Sequence, residues 1–447
     1  MASDAKPLVL IGCTPFSGHM MPLRVIAKTL VERGYTVTFV SASKHQKWLE
    51  DAGCNFVPIN GYGDWTDESL DTRFSAREKL PPGPAQLGWD IENIFLKSIP
   101  SQHDALQVAM KNMTAKHPGK PIVQLIEGAF WGGIPITSGA RGIKPTGSIG
   151  IGIIPMVLSS IDCAPFGPGI PFDNSPDGRA RNKAMKEQMI PMFAPLEKVF
   201  RETTQETGAK INCQLLDSVY VLPDRFLQMC SPSVEYPRSD APSSIRFAGG
   251  LPKGKRDFHD PPAFWNEIVN NNGKKIVAVS QGSLALNYSE LIVPTLEAFK
   301  DRDDILVVVA LGRKGNKLPE NTFVPANVRV GDFIPFDDLL PHCSVFVSNG
   351  GYGAFQHSIS HGIPMVLGGE SEDKAEVCAR AEWVGIGVNL KTQKPTSEAI
   401  RNAVDEVLGN SKYKTRAKEL EDEMAAFDPL SVVAKTIDEL ATGTAQK

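Results

Sequence analysis

Residues 345–369 read VFVSNGGYGAFQHSISHGIPMVLGG: an apolar strand, a knot of glycines, a short helical phrase and a second strand. Ordinary turn chemistry needs one glycine, yet Gly350, Gly351 and Gly353 all stand at the mouth of the helix. Glycine lets a backbone approach a ligand closely, and the free N–H groups of a helix start attract an anion. The stretch therefore reads as an α/β unit that holds an anion at the carboxyl end of its first strand.

The same alternation extends on both sides. Upstream, KIVAVSQ reads as a strand, SELIVPTLEAFK as a helix, and ILVVVAL and VRVGDFI as strands; downstream, GIGVNL closes the set. The first fifty residues form another β–α–β phrase. It runs from strand PLVLIGC through loop TPFSGH and helix MPLRVIAKTLVERG, with Pro22 in the first turn and Gly34 as terminator, to strand YTVTFVS. PIVQLIEG and GSIGIGIIP are further strands. Between residues 160 and 185 the alternation stops in APFGPGIPFDNSPDG, a loop rich in proline, glycine and aspartate. A helical region interrupted by prolines follows at KAMKEQMIPMFAPLEKVFRETTQETG, and FAGGLPKGKRDFHDPPAFW reads as a linker. The expected organisation is two parallel-sheet domains, 1–245 and 263–428, joined by a linker over 246–262 and followed by an amphipathic segment over 429–447. A ligand is expected in the cleft between them, outside the carboxyl ends of the strands.

Composition narrows the function. Hydrophobic residues make up 42% and charged residues 22% of the 447, the balance of a soluble globular protein. A formal charge of −4 argues against a nucleic-acid partner, and the basic run KYKTRAKELEDE carries its own acids, as a solvated helix face does. The seven cysteines are odd in number and scattered, with no C-x-x-C, which favours a reducing compartment over a disulfide framework or a zinc site. No window is apolar over the ~20 residues of a membrane span, and the opening apolar run is too short for a signal peptide. A cytoplasmic monomer without a transmembrane segment is expected.

A dinucleotide cofactor fits poorly. Gly12 and Gly18 stand six apart in the first turn, and the second strand ends in VSASK, without an acid to hold a ribose. A P-loop fails because His19, not lysine, follows Gly18. The DRD at 301–303 fits an exposed turn better than a metal clamp. What remains is an anion site in the second domain and His19 at a helix start in the first. The positive end of that helix disfavours the imidazolium, leaving a neutral ring ready to accept a proton. Glu127 follows the strand PIVQLI at the same edge and is placed to orient it. On spacing alone, a capping histidine and an ordinary loop glutamate remain the alternatives.

These residues carry a resemblance. PFSGHMMPLRVIAKTLVERGYTVTFV resembles the start of the acceptor domain in the family 1 UDP-sugar-dependent glycosyltransferases. DFIPFDDLLPHCSVFVSNGGYGAFQHSISHGIPMVLGGESEDKAEV is similar to the donor-binding signature of its soluble bacterial and fungal members, and VSQGS to its donor-side phosphate loop. The resemblance implies a GT-B fold, two Rossmann-like domains facing each other across a cleft. It also implies roles by position. His19 would be the base, and Glu127 falls where an aspartate steadies it. Phe333 stands in place of a tryptophan stacked on uracil, with Ile334 beside it. Ser283 and the segment Gly350, Gly351, Tyr352 and Gly353 fall on diphosphate contacts, and Asn349 replaces a histidine there, its amide expected to donate to the anion. His357 replaces a ribose-binding glutamate, with Gln356 adjacent, and either residue is placed to reach the ribose. Asp373 and Lys374 stand where an Asp-Gln pair holds sugar hydroxyls. No metal and no cofactor beyond the UDP-sugar are implied.

The acceptor pocket is expected from loops of the first domain. Phe16, Trp89, Phe130, Trp131 and Phe166 are its candidate lining, drawn from a wider apolar set with Trp65, Phe74, Phe172, Met156, Met189 and Met192. The loop over 160–180 suits a lid. The expected reaction is inverting transfer of glucose from UDP-glucose to a small hydrophobic or phenolic acceptor of flavonoid or polyketide type. A sterol or lipid glycosyltransferase, a nucleotide-sugar epimerase and a nucleotide-sugar-binding pseudo-enzyme are the alternatives. The C-terminal segment PLSVVAKTIDELA is expected to cross back onto the first domain.

Overall fold

A strand covered on both faces must be apolar throughout, and LVLIG meets that requirement: every residue of β1 (Leu8–Gly12) is buried. The computed structural model describes residues 6–80, 83–253 and 261–443. In it β1 pairs in parallel with β2 (Thr36–Ala42) on one side and β4 (Ile122–Glu127) on the other. With β3 (Asn55–Ile59), β5 (Gly147–Gly152), β6 (Arg225–Gln228) and β7 (Ile245–Phe247) they make a seven-stranded parallel sheet in the order 3-2-1-4-5-6-7. The second sheet has six parallel strands, β8 (Lys275–Ser280), β9 (Ile305–Ala310), β10 (Val328–Gly331), β11 (Val345–Ser348), β12 (Met365–Leu367) and β13 (Gly387–Asn389), ordered 10-9-8-11-12-13. In each sheet the order reverses beside the first strand, which opens the crevice where ligands of such sheets bind.

Helix α1 (Ser17–Glu32) follows β1 and buries Met20, Leu23, Ile26, Ala27 and Leu30 against the sheet. Gly34, at φ +84°, supplies the left-handed residue that ends it. The long helix α2 (Pro176–Glu206) runs unbroken through Pro191 and Pro195, where the sequence reading expects interruption. Both prolines are exposed, as is Glu187 one turn before Pro191, so water can satisfy the carbonyls that lose their N–H partners. Strands β3, β6 and β7 are additions to the sequence reading. β7 extends the first sheet two residues into the segment expected as linker, of which residues 254–260 lie outside the described residues.

Three further helices position the site: α3 (Tyr352–Ser360), α4 (Lys374–Trp383) and α5 (Pro429–Thr442). α5, capped by the Asp428 side chain, carries Val433, Ile437 and Leu440 into the first-domain core beside Ile26 and Ile149. The chain thus crosses from the second domain back to the first.

The domains are also joined by buried charge. The Arg380 guanidinium donates to Glu235 Oε1 from Nε at 2.9 Å and from Nη2 at 2.7 Å, and stands 4.2 Å from the centre of the Tyr236 ring. Among the described residues no helix is long and apolar enough to cross a membrane, and all seven cysteines are free thiols.

Candidate active site

The first wall of the cleft is built at the carboxyl edge of the first sheet. Glu127 is the last residue of β4 and is wholly buried; Ala129 N–H donates to its Oε1 at 2.8 Å and Thr14 N–H to its Oε2 at 3.4 Å. His19, in the first turn of α1, places Nδ1 2.9 Å from Glu127 Oε1. This is charge-pair contact, off the line of a straight hydrogen bond. Burial raises the carboxyl's affinity for a proton, but His19 and the two main-chain donors outweigh it and hold Glu127 below the ordinary carboxylate range. Glu127, not the helix start, decides the charge of the ring. Burial lowers its affinity for a proton, yet the Glu127 charge and contact, followed by the charges of Asp373 and Asp67, leave His19 above the ordinary histidine value. His19 is a stronger base than a helix start alone would make it.

Aromatic rings spread outward from this pair. Phe16 lies 5.8 Å from the His19 ring and 4.7 Å, edge-on, from Trp65. Trp65 continues to Phe74 and Phe74 to Trp89, at 6.2 and 6.1 Å. In the other direction Phe95 bridges Phe16 at 6.1 Å and Trp131 at 5.5 Å. Phe95 is absent from the sequence-based set; it sits in a short π-helical turn, Ile91–Phe95, a local geometry that periodicity does not announce. Phe130 is a correction. It has no exposed surface, and its ring fills the space where a Cβ on Gly12 would lie, 2.7 Å away, so it is core. Met192 points outward from α2 and is 61% exposed.

The loop expected as a lid is tied across the cleft instead. Gly167 and Gly169 N–H donate to Glu376 Oε1 at 2.9 and 3.0 Å, and Phe172 packs on Trp383 of α4. Phe166 stands half-buried one residue before this tether.

The second wall is the start of α3. Gly350 has φ +84°, and a Cβ there would meet Cys378 Sγ at 2.5 Å and Lys374 O at 3.1 Å, so only glycine fits. Phe355 N–H is the first to close onto the helix, at Gly351 O. The amides of Gly351, Tyr352, Gly353 and Ala354 therefore form the end that lacks carbonyl partners. Gly353 has open space where a Cβ would stand. Facing this turn is the loop after β8, with Gly282 at φ +73° and Ser283 half-buried beside it.

Other donor-side candidates need correction. Asn349 is buried, and its Nδ2 donates to Gln281 O at 2.7 Å, so the amide pins the two loops together rather than aiming that hydrogen at an anion. Tyr352 is buried, and its hydroxyl accepts from Gln228 Nε2 of the first domain at 3.3 Å. Ile334 is core, packed over Gly331, whereas Phe333 is 44% exposed and free to act as a platform. His357 turns Nδ1 to Asp337 Oδ1 at 3.1 Å.

The loop that holds Glu372, Asp373 and Lys374 joins the two walls. Asp373 stands at the residue before α4, its side chain not bonded to the helix amides, and lies close enough to His19 for each to influence the other's charge. Burial, together with Glu372, makes Asp373 a weaker acid than usual, against the opposing effects of Lys374 and His19. Lys374 does not offer a free charge, because its Nζ is bound by Glu372 and by Ser371 Oγ. Glu372 adopts φ +49°, a left-handed conformation, and Arg77 of the first domain donates to it at 2.7 Å while also gripping Asp90. Arg77 and Glu372 are cross-cleft contacts that sequence reading did not single out.

Two parallel-sheet domains closed in this way are the GT-B architecture. The structure of the glycosyltransferase of kitacinnamycin superposes with a TM-score of 0.72 at 21% identity, covering 98% of this chain and all of that one. The chain's own relatives narrow the class. It is 42% identical to UDP-glycosyltransferase 2 of Phaeomoniella chlamydospora, over 99% of this chain and 97% of that protein. It is 38% identical to UDP-glucosyltransferase A1 of Starmerella bombicola, over 98% and 94%. Residues 295–440 match the family model of the erythromycin biosynthesis protein CIII-like C-terminal domain. The chain belongs to the family 1 UDP-dependent glycosyltransferases.

Proposed function

We propose that the protein transfers glucose from UDP-glucose to a hydroxyl of a planar, apolar, phenolic acceptor, with inversion at the anomeric carbon. The observation that carries this reading is the carboxylate-backed His19 beside Asp373, whose neighbour Lys374 packs on the Gly350 turn at the start of α3. Because Nδ1 faces Glu127, Nε2 is the nitrogen left for the acceptor. It takes the hydroxyl proton as the oxygen attacks the anomeric carbon, and Glu127 stabilises the imidazolium that forms. The bond to the departing UDP oxygen breaks on the opposite face, and its electron pair ends on the β-phosphate. The amides of Gly351 and Gly353 and the positive end of α3 receive that charge. Asp373, opposite His19, is placed to accept from a sugar hydroxyl.

Glucose is supported by the relatives named as UDP-glucosyltransferases. A flat acceptor is supported by the half-buried rings of Phe16, Trp89 and Phe95, with the buried Trp131 behind Phe95, since aromatic faces favour stacked or edge-on partners. A mass-spectrometric screen of UDP-sugars against pooled phenols, sterols and long-chain hydroxy acids tests the proposal. Hexosylated phenols from UDP-glucose are expected. Products from the lipid pool alone would refute the acceptor class, and turnover without any acceptor would refute transfer.

A further inference from the structure

His357 stands where the family resemblance places a ribose contact, yet its ring is committed elsewhere. HSISH, residues 357–361, sets two histidines four apart at the end of α3, the spacing that brings side chains onto one helix face. Asp337, from the short helical turn Phe336–Leu339, meets both. His357 Nδ1 and His361 Nε2 lie 3.1 and 2.9 Å from the same oxygen, Asp337 Oδ1. One ligating atom from each residue falls within 4.8 Å of the other two, the single such grouping among the described residues.

We infer that Asp337, His357 and His361 form a binding site for a borderline divalent cation of the zinc and cobalt class, separate from the proton and sugar transfer. The edge between ligands of a tetrahedral zinc site is roughly 3.3 Å, given bonds of about 2.0 Å to nitrogen and oxygen. The two observed separations reach that value if the rings withdraw by a few tenths of an ångström. Two imidazoles and one carboxylate suit zinc or cobalt; magnesium and calcium prefer oxygen throughout. Asp337 and His361 are buried, which fixes two ligands, while the His357 side chain is 41% exposed and leaves an entry for the ion and its water. The Phe336 ring stands edge-on to His357 at 5.6 Å and limits its rotation. A bound ion would take the ring nitrogens that meet Asp337 Oδ1, so any proton on those nitrogens has to leave them when the ion binds.

The test is calorimetric titration of the full-length, chelator-treated protein with zinc, repeated with cobalt for its visible spectrum and with magnesium as the oxygen-preferring control. One equivalent of zinc is expected to bind saturably and raise the thermal midpoint. Cobalt should give the ligand-field bands of a four- or five-coordinate site. His357→Ala, at the half-exposed position, and Asp337→Asn should each weaken zinc by more than about tenfold, a loss that even an outer-shell change commonly causes. Absence of saturable binding, affinity unchanged in His357→Ala, or equal affinity for magnesium would overturn the assignment.

Discussion

The two walls of the cleft manage charge by different means. The first-domain wall uses side chains: a wholly buried Glu127 raises the proton affinity of His19. The second-domain wall uses main chain: a left-handed Gly350 leads into α3, whose first amides lack carbonyl partners. A wall of side chains fails when one group is replaced. A wall of amides depends on backbone conformation more than on the charge of any one side chain. Its weak points are instead the glycines.

The largest effect should come from the wall of side chains. His19→Ala is expected to lower kcat by about 10²–10⁴-fold, the usual worth of a positioned base. UDP affinity by calorimetry should stay within twofold or so, since the amides are untouched. Unchanged turnover would remove His19 from the reaction. Glu127→Gln should cost roughly 10–10²-fold in kcat and also move the pH profile. The base form of His19 is lost as pH falls through its raised pKa, so kcat/KM drops on the acid side. Without the carboxylate that raising influence disappears, and the acid limb should shift to lower pH. A limb that stays in place would show that the pair is not coupled.

The wall of amides is probed by two glycines with opposite expectations. Gly350→Ala forces a side chain into a left-handed residue against Cys378 and should lower stability by about 1–3 kcal/mol, seen in thermal or denaturant unfolding. Gly353→Ala has room for its methyl group and lies in the first turn of α3, where alanine is favoured by at most about 1 kcal/mol, so stability should hold or rise. Its methyl enters the space proposed for the diphosphate, so KM for the UDP-sugar should rise severalfold. If both variants merely unfold, or both act as wild type, the contrast between the walls is lost.

The smallest effect is expected at the bridge between them. Arg77–Glu372 is partly exposed, and such ion pairs contribute under about 1 kcal/mol. Glu372→Gln, which keeps an amide oxygen for both Arg77 and Lys374, should therefore leave the thermal midpoint nearly unchanged and reduce kcat a few-fold at most, with the loss shrinking as salt rises and screens the wild-type charges.

How much of this could be read in the chain depended on the range of the interaction. β1, α1 and the stretch from β11 to β12 were legible because strands buried on both faces are continuous apolar runs and because helix starts and ends carry local signals. RFLQ and IRF, the strands β6 and β7, are too short and too mixed to stand out. Gly350 was legible from its neighbours, but the use of Asn349 was not, since it depends on a carbonyl 68 residues away. Phe130 and Trp131 are adjacent and equally aromatic. One fills the hollow over Gly12 and the other contacts Phe95, a difference set by the packing of three separate segments. Arg77 and Glu372 are 295 residues apart and meet only because the domains close.

Soaking or co-crystallising the protein with UDP puts the division of labour between the walls to its sharpest trial. The β-phosphate should lie within hydrogen-bonding distance of the amides at 351–353, with His19 Nε2 facing the cleft on the other side and Nδ1 still against Glu127. A diphosphate bound elsewhere, or a His19 ring turned into the first-domain core, would contradict the mechanism proposed for this enzyme.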